Sequence, residues 1–374
     1  MAKLFDSASY ANSIIAREEA LRPDYVPTEA LHRTNEMETI ASSITPMIHG
    51  QSCSNLFITG PTGTGKTTCV KLVANQLRES TSKVIPVYVN CWERPTKMGV
   101  YYEIAEALKL LLPRRGLAAD EVFEKILDDM RRENLTILLI LDELDSLVFR
   151  KEDGFLYNIS RAGTERGARF GVVAISNQKD LTRLLDARVS SSLRLSTFEF
   201  KEYNAAQLKE ILLERAKFAL VPKTYDSAVL EACAKIGAAN NGNARLAIEI
   251  LWKAALRADN RDAKKIEPAD VAEVAKAIEQ RPGKKERARI TFKDHDLNLS
   301  DEENLIINLL KGGEMQSPEL YGEFTGKKDK TKRQIRNYLL LLEAKGLIIS
   351  KEAETGGKTF LKTKVYSLKP QGAG

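Results

Sequence analysis

Residues 60–67 form a glycine-rich loop between an apolar run and a helix-forming stretch, and this loop constrains the fold more than any other feature. It reads Gly-Pro-Thr-Gly-Thr-Gly-Lys-Thr, with residues 56–59 (Leu-Phe-Ile-Thr) before it and a helical stretch from about 67 to 77 after it. Glycines allow successive backbone N–H groups to curl around a polyphosphate, which then faces the helix N-terminus. Such a loop belongs to a strand–loop–helix unit. The segment therefore predicts an α/β domain that binds a nucleoside triphosphate.

Two side chains of that loop suit a triphosphate and its metal. Lys66 can reach the β- and γ-phosphates, and the Thr67 hydroxyl can bind Mg²⁺. The alternative is a chance glycine-rich turn, but the fixed motif positions and their flanks favour the nucleotide loop. The expected loop contacts to nucleotide are Gly60, Pro61, Thr62, Gly63, Thr64, Gly65, Lys66, Thr67 and Thr68.

Acidic residues follow a second apolar run, at the point where parallel sheets bind ligands. Residues 137–141 predict a strand buried on both faces, and Asp142-Glu143-Leu144-Asp145 comes next. Asp142 is predicted to hold Mg²⁺ through its water ligands, and Glu143 to polarise the attacking water. Such residues can also form a solvated turn, but their pairing with the loop favours a site. The adjacent carboxylates favour hydrolysis of the nucleotide over its storage.

Composition limits the possible classes of protein. The chain has 374 residues and 43% hydrophobic content, which predicts two or three domains. No apolar run approaches the ~20 residues that span a bilayer, and the first residues lack a signal peptide's apolar core. The four cysteines and three histidines are too dispersed to indicate a zinc site, a disulfide framework or a catalytic relay. We expect a cytoplasmic, nucleoid-associated protein with no membrane partner.

Charge is unevenly distributed along a chain whose net charge is only +6. Segment 281–293 has six basic residues and one acidic residue, and it has the character of a linker. Segment 294–326 has a net charge of −7, and segment 327–369 a net charge of +8. A charge run is usually a solvated face. A change of sign within one small domain instead indicates a face turned toward a polyanion.

Apolar periodicity predicts the organisation of the chain. Short apolar runs alternate with helical stretches up to residue 200, which predicts a parallel sheet covered by helices. The predicted strands are 55–60, 84–90, 136–142, 170–176 and 194–200. Amphipathic helices without strands follow and predict a separate lid. These helices are 205–219, 226–238, 243–258 and 268–279.

The C-terminal pattern differs from both. Three helices (301–310, 317–324 and 331–345) precede two strands (347–351 and 359–367), an order that predicts a winged helix. The predicted domains are therefore an α/β base, a helical lid, a basic linker and a winged helix. Their boundaries are 1–202 (with a helical insertion at about 92–134), 203–280, 281–300 and 301–370.

Three further polar residues, Asn177, Arg188 and Arg245, indicate a function only when they are considered together. Asn177 ends a buried strand beside Asp142, where it can orient the hydrolytic water. Arg245 lies one turn inside a lid helix, and Arg188 precedes the fifth strand. Alone, each arginine is more often a surface charge. In order, these segments resemble the AAA+ ATPases, and more narrowly the archaeal relatives of the origin recognition complex and its loading factor, the replication initiators.

The resemblance covers almost the whole chain and implies roles for these residues. Asp186-Ala187-Arg188-Val189-Ser190-Ser191 is similar to the initiators' Asp-Pro-Arg-Val-x-Ser, with Ala187 in place of proline. It implies that Arg188 acts as a finger on a neighbour's nucleotide. Asn177 matches the first sensor, and Arg245 matches the second sensor on the chain's own γ-phosphate. The implied catalytic residues are Glu143, Asn177, Arg188 and Arg245.

The resemblance also implies the nucleotide. Tyr25-Val26-Pro27 and residues 31–36 look like the box in which the family's backbone holds adenine, so ATP or ADP is the expected cofactor, with Mg²⁺. Val26, Pro27 and Tyr203 join the expected nucleotide contacts.

DNA contacts are expected at two places. The insertion at about 92–134 resembles the initiators' DNA-contacting helical insertion, with Arg114 and Arg115 at its tip; an exposed helix–helix turn is the alternative. In the winged helix, the third helix has the position of a recognition helix. Its predicted contacts, with one from the wing, are Lys332, Arg333, Arg336 and Lys358. Leu339, Leu340 and Leu342 are expected in the core, as are Trp92 and Trp252.

Taken together, the sequence predicts an ATP-regulated replication initiator with weak ATPase activity used as a switch. Its expected partners are double-stranded origin DNA, other initiator subunits and the replicative helicase. A winged-helix transcription regulator that uses ATP as a switch is the alternative, and preferential binding at an origin would separate the two. A motor or clamp-loading subunit is disfavoured, because clamp loaders do not end in a basic winged helix.

Overall fold

The structure is a computed structural model that divides into two compact units, Met1–Ile278 and Glu279–Gly374. Within the described residues, no helix is long and apolar enough to cross a membrane. The residues that the structure describes are 13–23, 25–113, 116–279, 301–328, 331, 334–336, 338–339, 342, 347–353 and 363–368.

A five-stranded parallel sheet forms the centre of the first unit and confirms the predicted fold class. Its strands lie in the order β2-β3-β4-β1-β5. They are β1 Leu56–Thr59, β2 Val84–Asn90, β3 Thr136–Asp142, β4 Arg169–Ser176 and β5 Ser196–Glu199. Every residue of β3 is buried, as expected for a central strand covered on both faces. Strands β1 and β4 are neighbours in the sheet but not in sequence, so the order of the strands changes direction beside them. Open α/β sheets bind ligands in the crevice at the carboxyl ends of the strands at such a point.

Helices cover both faces of this sheet. Alternate strand residues point to opposite faces: Phe57 and Leu139 enter one apolar cluster, and Ile58 and Ile140 enter the other. Helices α1 and α2 pack on the second cluster, and α3 to α7 on the first. Their bounds are α1 Thr34–Ile44, α2 Lys66–Ser80, α3 Lys97–Ala107, α4 Ala119–Arg132, α5 Asp145–Phe149, α6 Phe155–Arg166 and α7 Ala187–Leu193.

The predicted helical insertion corresponds to α3 and α4. Both helices pack on the first cluster, where the Tyr101 and Phe123 rings stack with centroids 5.0 Å apart. The tip residues Arg114 and Arg115 lie outside the described residues. Trp92, at the start of the insertion, is 58% exposed. Its expected place in the core is therefore wrong, because β2 ends at Asn90 and the chain then leaves the sheet.

Four helices form the lid: α8 Ala205–Ala219, α9 Ser227–Ala239, α10 Ala244–Asn260 and α11 Pro268–Glu279. The first three start where a side chain caps the N-terminus, which explains the accuracy of the predicted boundaries. The capping residues are Asn204, Asp226 and Asn243. The N-terminal segment, which the sequence assigned to the base, places Ile14 and Leu21 in the lid's apolar core.

The second unit has the elements of a winged helix. Helices α12 Asp301–Leu310 and α13 Ser317–Thr325 precede further helical residues at 334–336, 338–339 and 342. Strands β6 Met315–Gln316, β7 Ile348–Ala353 and β8 Thr363–Leu368 form an antiparallel sheet in the order β6-β8-β7. Its two-residue strand β6 was not predicted, because periodicity needs a longer run. Leu339 and Leu342 are buried as predicted, and Leu340 lies outside the described residues.

Candidate functional site

The predicted phosphate loop connects β1 to α2 at the carboxyl edge of the sheet. Gly60 has φ 144° and Gly65 has φ 91°, conformations that favour glycine. A Cβ on Gly60 would also lie 2.4 Å from the Phe200 carbonyl oxygen. The loop can therefore turn at this point only without a side chain.

Lys66 begins α2 and is only 6% exposed. Its Nζ donates hydrogen bonds to the carbonyl oxygens of Gly60 and Pro61, at 2.7 and 2.8 Å, and to Asn177 Oδ1 at 2.8 Å. Burial lowers the pKa of Lys66 to about 8, against the opposing effect of the Asp142 carboxylate. The ammonium thus lies between the loop and Asn177, which follows β4. The acidic half of the predicted site is at the end of the neighbouring strand β3.

Asp142 ends β3 and receives three hydrogen bonds. Its Oδ2 accepts from the Thr67 hydroxyl at 2.7 Å and the Tyr88 hydroxyl at 2.8 Å, and its Oδ1 accepts from Glu143 N at 3.0 Å. Hydroxyl and carboxylate oxygens are ligands that suit Mg²⁺. No cluster of three His, Cys, Asp or Glu residues suited to a metal occurs among the described residues. A metal at this point would therefore depend on Thr67, Asp142 and the phosphates of a nucleotide.

Glu143 follows with an unusual backbone. Its φ is 56°, in the left-handed region that non-glycine residues rarely adopt. Burial raises the pKa of its carboxyl, and the nearby Asp142 and Asp145 carboxylates raise that pKa further. A carboxylate with a raised pKa is a better proton acceptor near neutral pH, as the predicted role requires.

Asn177 and Arg245 reach the site from two different elements, the end of β4 and the start of α10. Asn177 follows β4 and accepts the bond from Lys66. Helix α10 is tied to the loop, because Ala244 N donates to the Gly63 carbonyl oxygen at 3.1 Å. This contact places Arg245 beside the loop, where its side chain lines the cavity.

One cavity of about 610 Å³ joins these elements. It brings together most of the predicted nucleotide contacts with two of the predicted catalytic residues, Glu143 and Asn177. The nucleotide contacts that line it are Pro27, Thr62, Gly63, Gly65, Lys66, Thr67, Thr68, Asp142, Tyr203 and Arg245. Val26 lies between two lining residues but does not itself line the cavity. Gly60, Pro61 and Thr64 instead shape the loop, where the Thr64 hydroxyl donates to the Pro61 carbonyl oxygen at 2.8 Å.

Arg188 lies outside this cavity. It is on α7, its side chain is 74% exposed, and its Nη2 lies 3.1 Å from Asp186 Oδ2. Asp186 caps α7, so the helix starts at Ala187 without the proline of the resembling motif. A residue with this exposure is available to a neighbouring molecule.

The predicted DNA contacts are described only in part. Arg336 is exposed on a helical segment of the second unit, whose neighbouring Ile335 is buried. The other predicted contacts lie outside the described residues: Arg114, Arg115, Lys332, Arg333 and Lys358.

Two residues at the site were not given a role from sequence. Tyr88 reaches Asp142 from the neighbouring strand. Arg33 is 5% exposed at its side chain; it donates from Nε to the Thr64 carbonyl oxygen at 3.0 Å and from Nη2 to the Lys201 carbonyl oxygen at 2.5 Å. Arg33 also pairs with Glu36. Arg33 is part of residues 31–36, which resemble the family's adenine box, but its hydrogen-bond partners depend on the fold.

Arg33→Ala is expected to lower the free energy of unfolding by about 3 kcal/mol, because two carbonyl oxygens lose donors and Glu36 loses its cation. Denaturant titration followed by circular dichroism would measure this change. Arg94→Ala is the matched control: Arg94 pairs with Glu103 at 2.6 Å on the surface, where such pairs contribute little. Equal costs for the two variants would contradict the structural role of Arg33.

The fold and the site define an AAA+ ATPase, with a phosphate loop, an Asp-Glu pair and a helical lid around one cavity. Residues 48–185 match the AAA domain family, and residues 209–276 match the Cdc6 AAA+ ATPase-type lid domain. The ORC1-type DNA replication protein of Pyrococcus horikoshii is 35% identical over 287 residues, which cover 74% of this chain and 68% of that protein. The chain belongs to the family of ORC1-type DNA replication proteins.

Other relatives agree with this family. An ORC1-type DNA replication protein 1 of Archaeoglobus fulgidus is 35% identical over 253 residues, which cover 66% of this chain and 62% of that protein. The Aeropyrum pernix ORC1 protein, solved in complex with DNA, is 30% identical, with a TM-score of 0.66 and coverage of 95% of this chain and 94% of that one. These matches confirm the predicted family and its role in DNA replication, and they give no support to the transcription-regulator alternative.

Proposed function

We propose that this protein is an ATP-controlled replication initiator that binds double-stranded origin DNA and helps to recruit the replicative helicase. The observation that carries the proposal is the single cavity in which Lys66, Asp142, Glu143 and Arg245 meet, in a chain of the replication-protein family. Hydrolysis by the isolated chain is weak, because the exposed Arg188 is outside the chain's own cavity and cannot act on its own nucleotide. Hydrolysis therefore acts as a switch that depends on assembly.

In this proposal each cavity residue has one task. Thr67 and Asp142 hold Mg²⁺, which would neutralise phosphate charge when bound. Lys66 binds the β- and γ-phosphates, and Arg245 binds the γ-phosphate from the lid. Glu143 accepts a proton from the attacking water, which Asn177 orients.

The second unit carries the proposed sequence-reading contact. The Aeropyrum pernix relative is solved with DNA, and segment 327–369 of this chain has twelve basic and four acidic residues. Arg336 is exposed on the helix in the recognition position. The remaining proposed contacts are Arg114, Arg115, Lys332, Arg333 and Lys358. Other initiator subunits would bind on the same DNA.

Arg336→Ala is expected to relax sequence preference, with a cost on the preferred duplex of ~1–3 kcal/mol if Arg336 contacts a base. Fluorescence anisotropy on a preferred and a scrambled duplex would measure both affinities. Lys311→Ala is the control, since Lys311 is exposed in the acidic part of the same unit. Equal losses on both duplexes would assign Arg336 to phosphate contact instead.

The proposed function itself is tested in cells. Genome-wide crosslinking of the protein to its DNA should give peaks that coincide with replication start points, and Arg336→Ala should reduce them. Peaks at promoters without replication starts would contradict the initiator function.

A further inference from the structure

The cavity has two chemically different ends. The phosphate loop and the strand ends supply Lys66 and Asp142, with Arg245 beside them, whereas the N-terminal segment and the lid supply a group of apolar and aromatic side chains next to Arg215 and Glu214. The apolar end is lined by Leu21, Tyr25, Ile211, Phe218, Ile248 and Trp252. A nucleotide has a polyanion at one end and a flat aromatic base at the other. If the proposed nucleotide binding holds, the apolar end takes the base.

One wall of this apolar end comes from the N-terminal strap, defined as residues 13–23 and 25–27. The strap is bonded to the lid at its start. Ile15 forms an antiparallel bridge with Leu220, and Ala16 N donates to the Ala219 carbonyl oxygen at 2.8 Å. Asp259, at the end of α10, accepts from Ser13 Oγ at 2.6 Å and from Ile14 N at 2.7 Å.

Arg215 of α8 holds the strap at the cavity itself. It donates from Nη1 to the Ala20 carbonyl oxygen at 3.3 Å and from Nη2 to the Tyr25 carbonyl oxygen at 3.5 Å. Its guanidinium carbon lies 4.4 Å from the centroid of the Tyr25 ring, a cation–π contact.

Arg215 is mostly buried, so its charged group depends on its contacts with the strap. Burial lowers the pKa of Arg215, which reflects the cost of removing a guanidinium from water. In the described part of the chain no carboxylate lies within ion-pair distance of Arg215. A mostly buried cation therefore has, as its partners, two carbonyl oxygens and one ring, all on the strap.

We propose that Arg215 is the positioning residue for the base end of the cavity: by fixing Tyr25 against α8, it makes the base-contacting wall part of the lid. The phosphate end is built from other residues, which belong to the loop, the strand ends and the start of α10. Selectivity between bases therefore depends on Arg215, whereas binding of the diphosphate does not. This inference rests on the proposed nucleotide binding.

The test compares ADP with GDP, which share the diphosphate and differ in the base. Isothermal titration calorimetry with Mg²⁺ would give both dissociation constants for the wild type and for Arg215→Ala. We expect the wild type to prefer ADP, and Arg215→Ala to weaken ADP binding about tenfold, with a smaller change for GDP, so that the ratio falls toward one. Arg215→Lys keeps the charge but lacks the fork, and it should lie between the two.

Controls separate positioning from general stability. Arg261→Ala breaks a lid ion pair with Asp270, whose atoms are 2.8 Å apart and away from the cavity; it should lower the Tm and leave the ADP-to-GDP ratio unchanged. Asp259→Ala releases the start of the strap and should lower the ratio in the same direction as Arg215→Ala. If Arg215→Ala does not fold, the ADP-to-GDP ratios of Asp259→Ala and Arg215→Lys test the proposal instead.

Two results would overturn the inference. Equal weakening of ADP and GDP would show that Arg215 acts only through stability, and unchanged constants for both would show that it positions nothing. A wild type that binds neither nucleotide would instead refute the proposed function, and with it this inference.

Discussion

Glu143→Gln is expected to lower the rate of ATP hydrolysis by ~10²–10⁴-fold while ATP still binds, because only the proton-accepting carboxylate is lost. The substitution preserves the size of the side chain, and the contacts of Lys66 and Asp142 do not involve the Glu143 carboxylate. Single-turnover hydrolysis and equilibrium binding of ATP, measured on the same preparation, would separate the two effects.

Lys66→Ala is the complementary control. It removes the buried ammonium of the loop and should abolish nucleotide binding itself. The raised pKa of Glu143 adds a pH signature. Wild-type hydrolysis should fall on acidification before a free glutamic acid would titrate, since the protonated carboxyl cannot accept a proton. Normal turnover by Glu143→Gln would refute the assigned role.

Arg188→Ala is expected to remove the stimulation of hydrolysis that follows assembly, and to leave the low activity of the isolated protein unchanged. An arginine supplied by a neighbour can accelerate phosphoryl transfer by ~10³–10⁵-fold. Arg188 is exposed and lies outside its own cavity, so a monomer lacks this group. Turnover would be measured with increasing protein concentration, with and without DNA.

Arg183→Ala is a matched control for that experiment. Arg183 is also an exposed arginine, 81% exposed at its side chain, and pairs with a nearby acid, Asp180, at 3.3 Å. Its removal should not affect stimulation. A mixture of Arg188→Ala and Glu143→Gln proteins gives a further test, because the finger of one subunit can then serve the intact glutamate of the other. Equal activity of monomer and assembly would contradict the action in trans.

The sequence predicted those parts of the site that are local in the chain. The phosphate loop and the Asp142-Glu143 pair follow directly from short motifs beside apolar strands, and the strand and lid-helix boundaries follow from apolar runs and capping residues. Tyr88 was missed because its contact with Asp142 depends on strand register. Arg33 was given no side-chain role, because one of its partners is 168 residues away along the chain.

The same reason explains the N-terminal strap. Ser13 and Asp259 are 246 residues apart, and no local pattern indicates that they pair. Trp92 was misplaced for the opposite reason: its neighbours are apolar strand residues, but the strand ends before it.

Helix α10 connects the phosphate loop at its first residue to the N-terminal strap near its last turn, so it can act as a lever between them. Its first residue is bonded to the phosphate loop, through Ala244 N and the Gly63 carbonyl oxygen, and Asp259 near its last turn holds Ser13. A helix of 17 residues is ~25 Å long, so a tilt of ~10° about its first turn would displace its far end by ~4 Å. A sub-ångström change at the loop, where the phosphates are proposed to bind, would thus be amplified at the opposite end of the lid, where it would pull on the start of the strap.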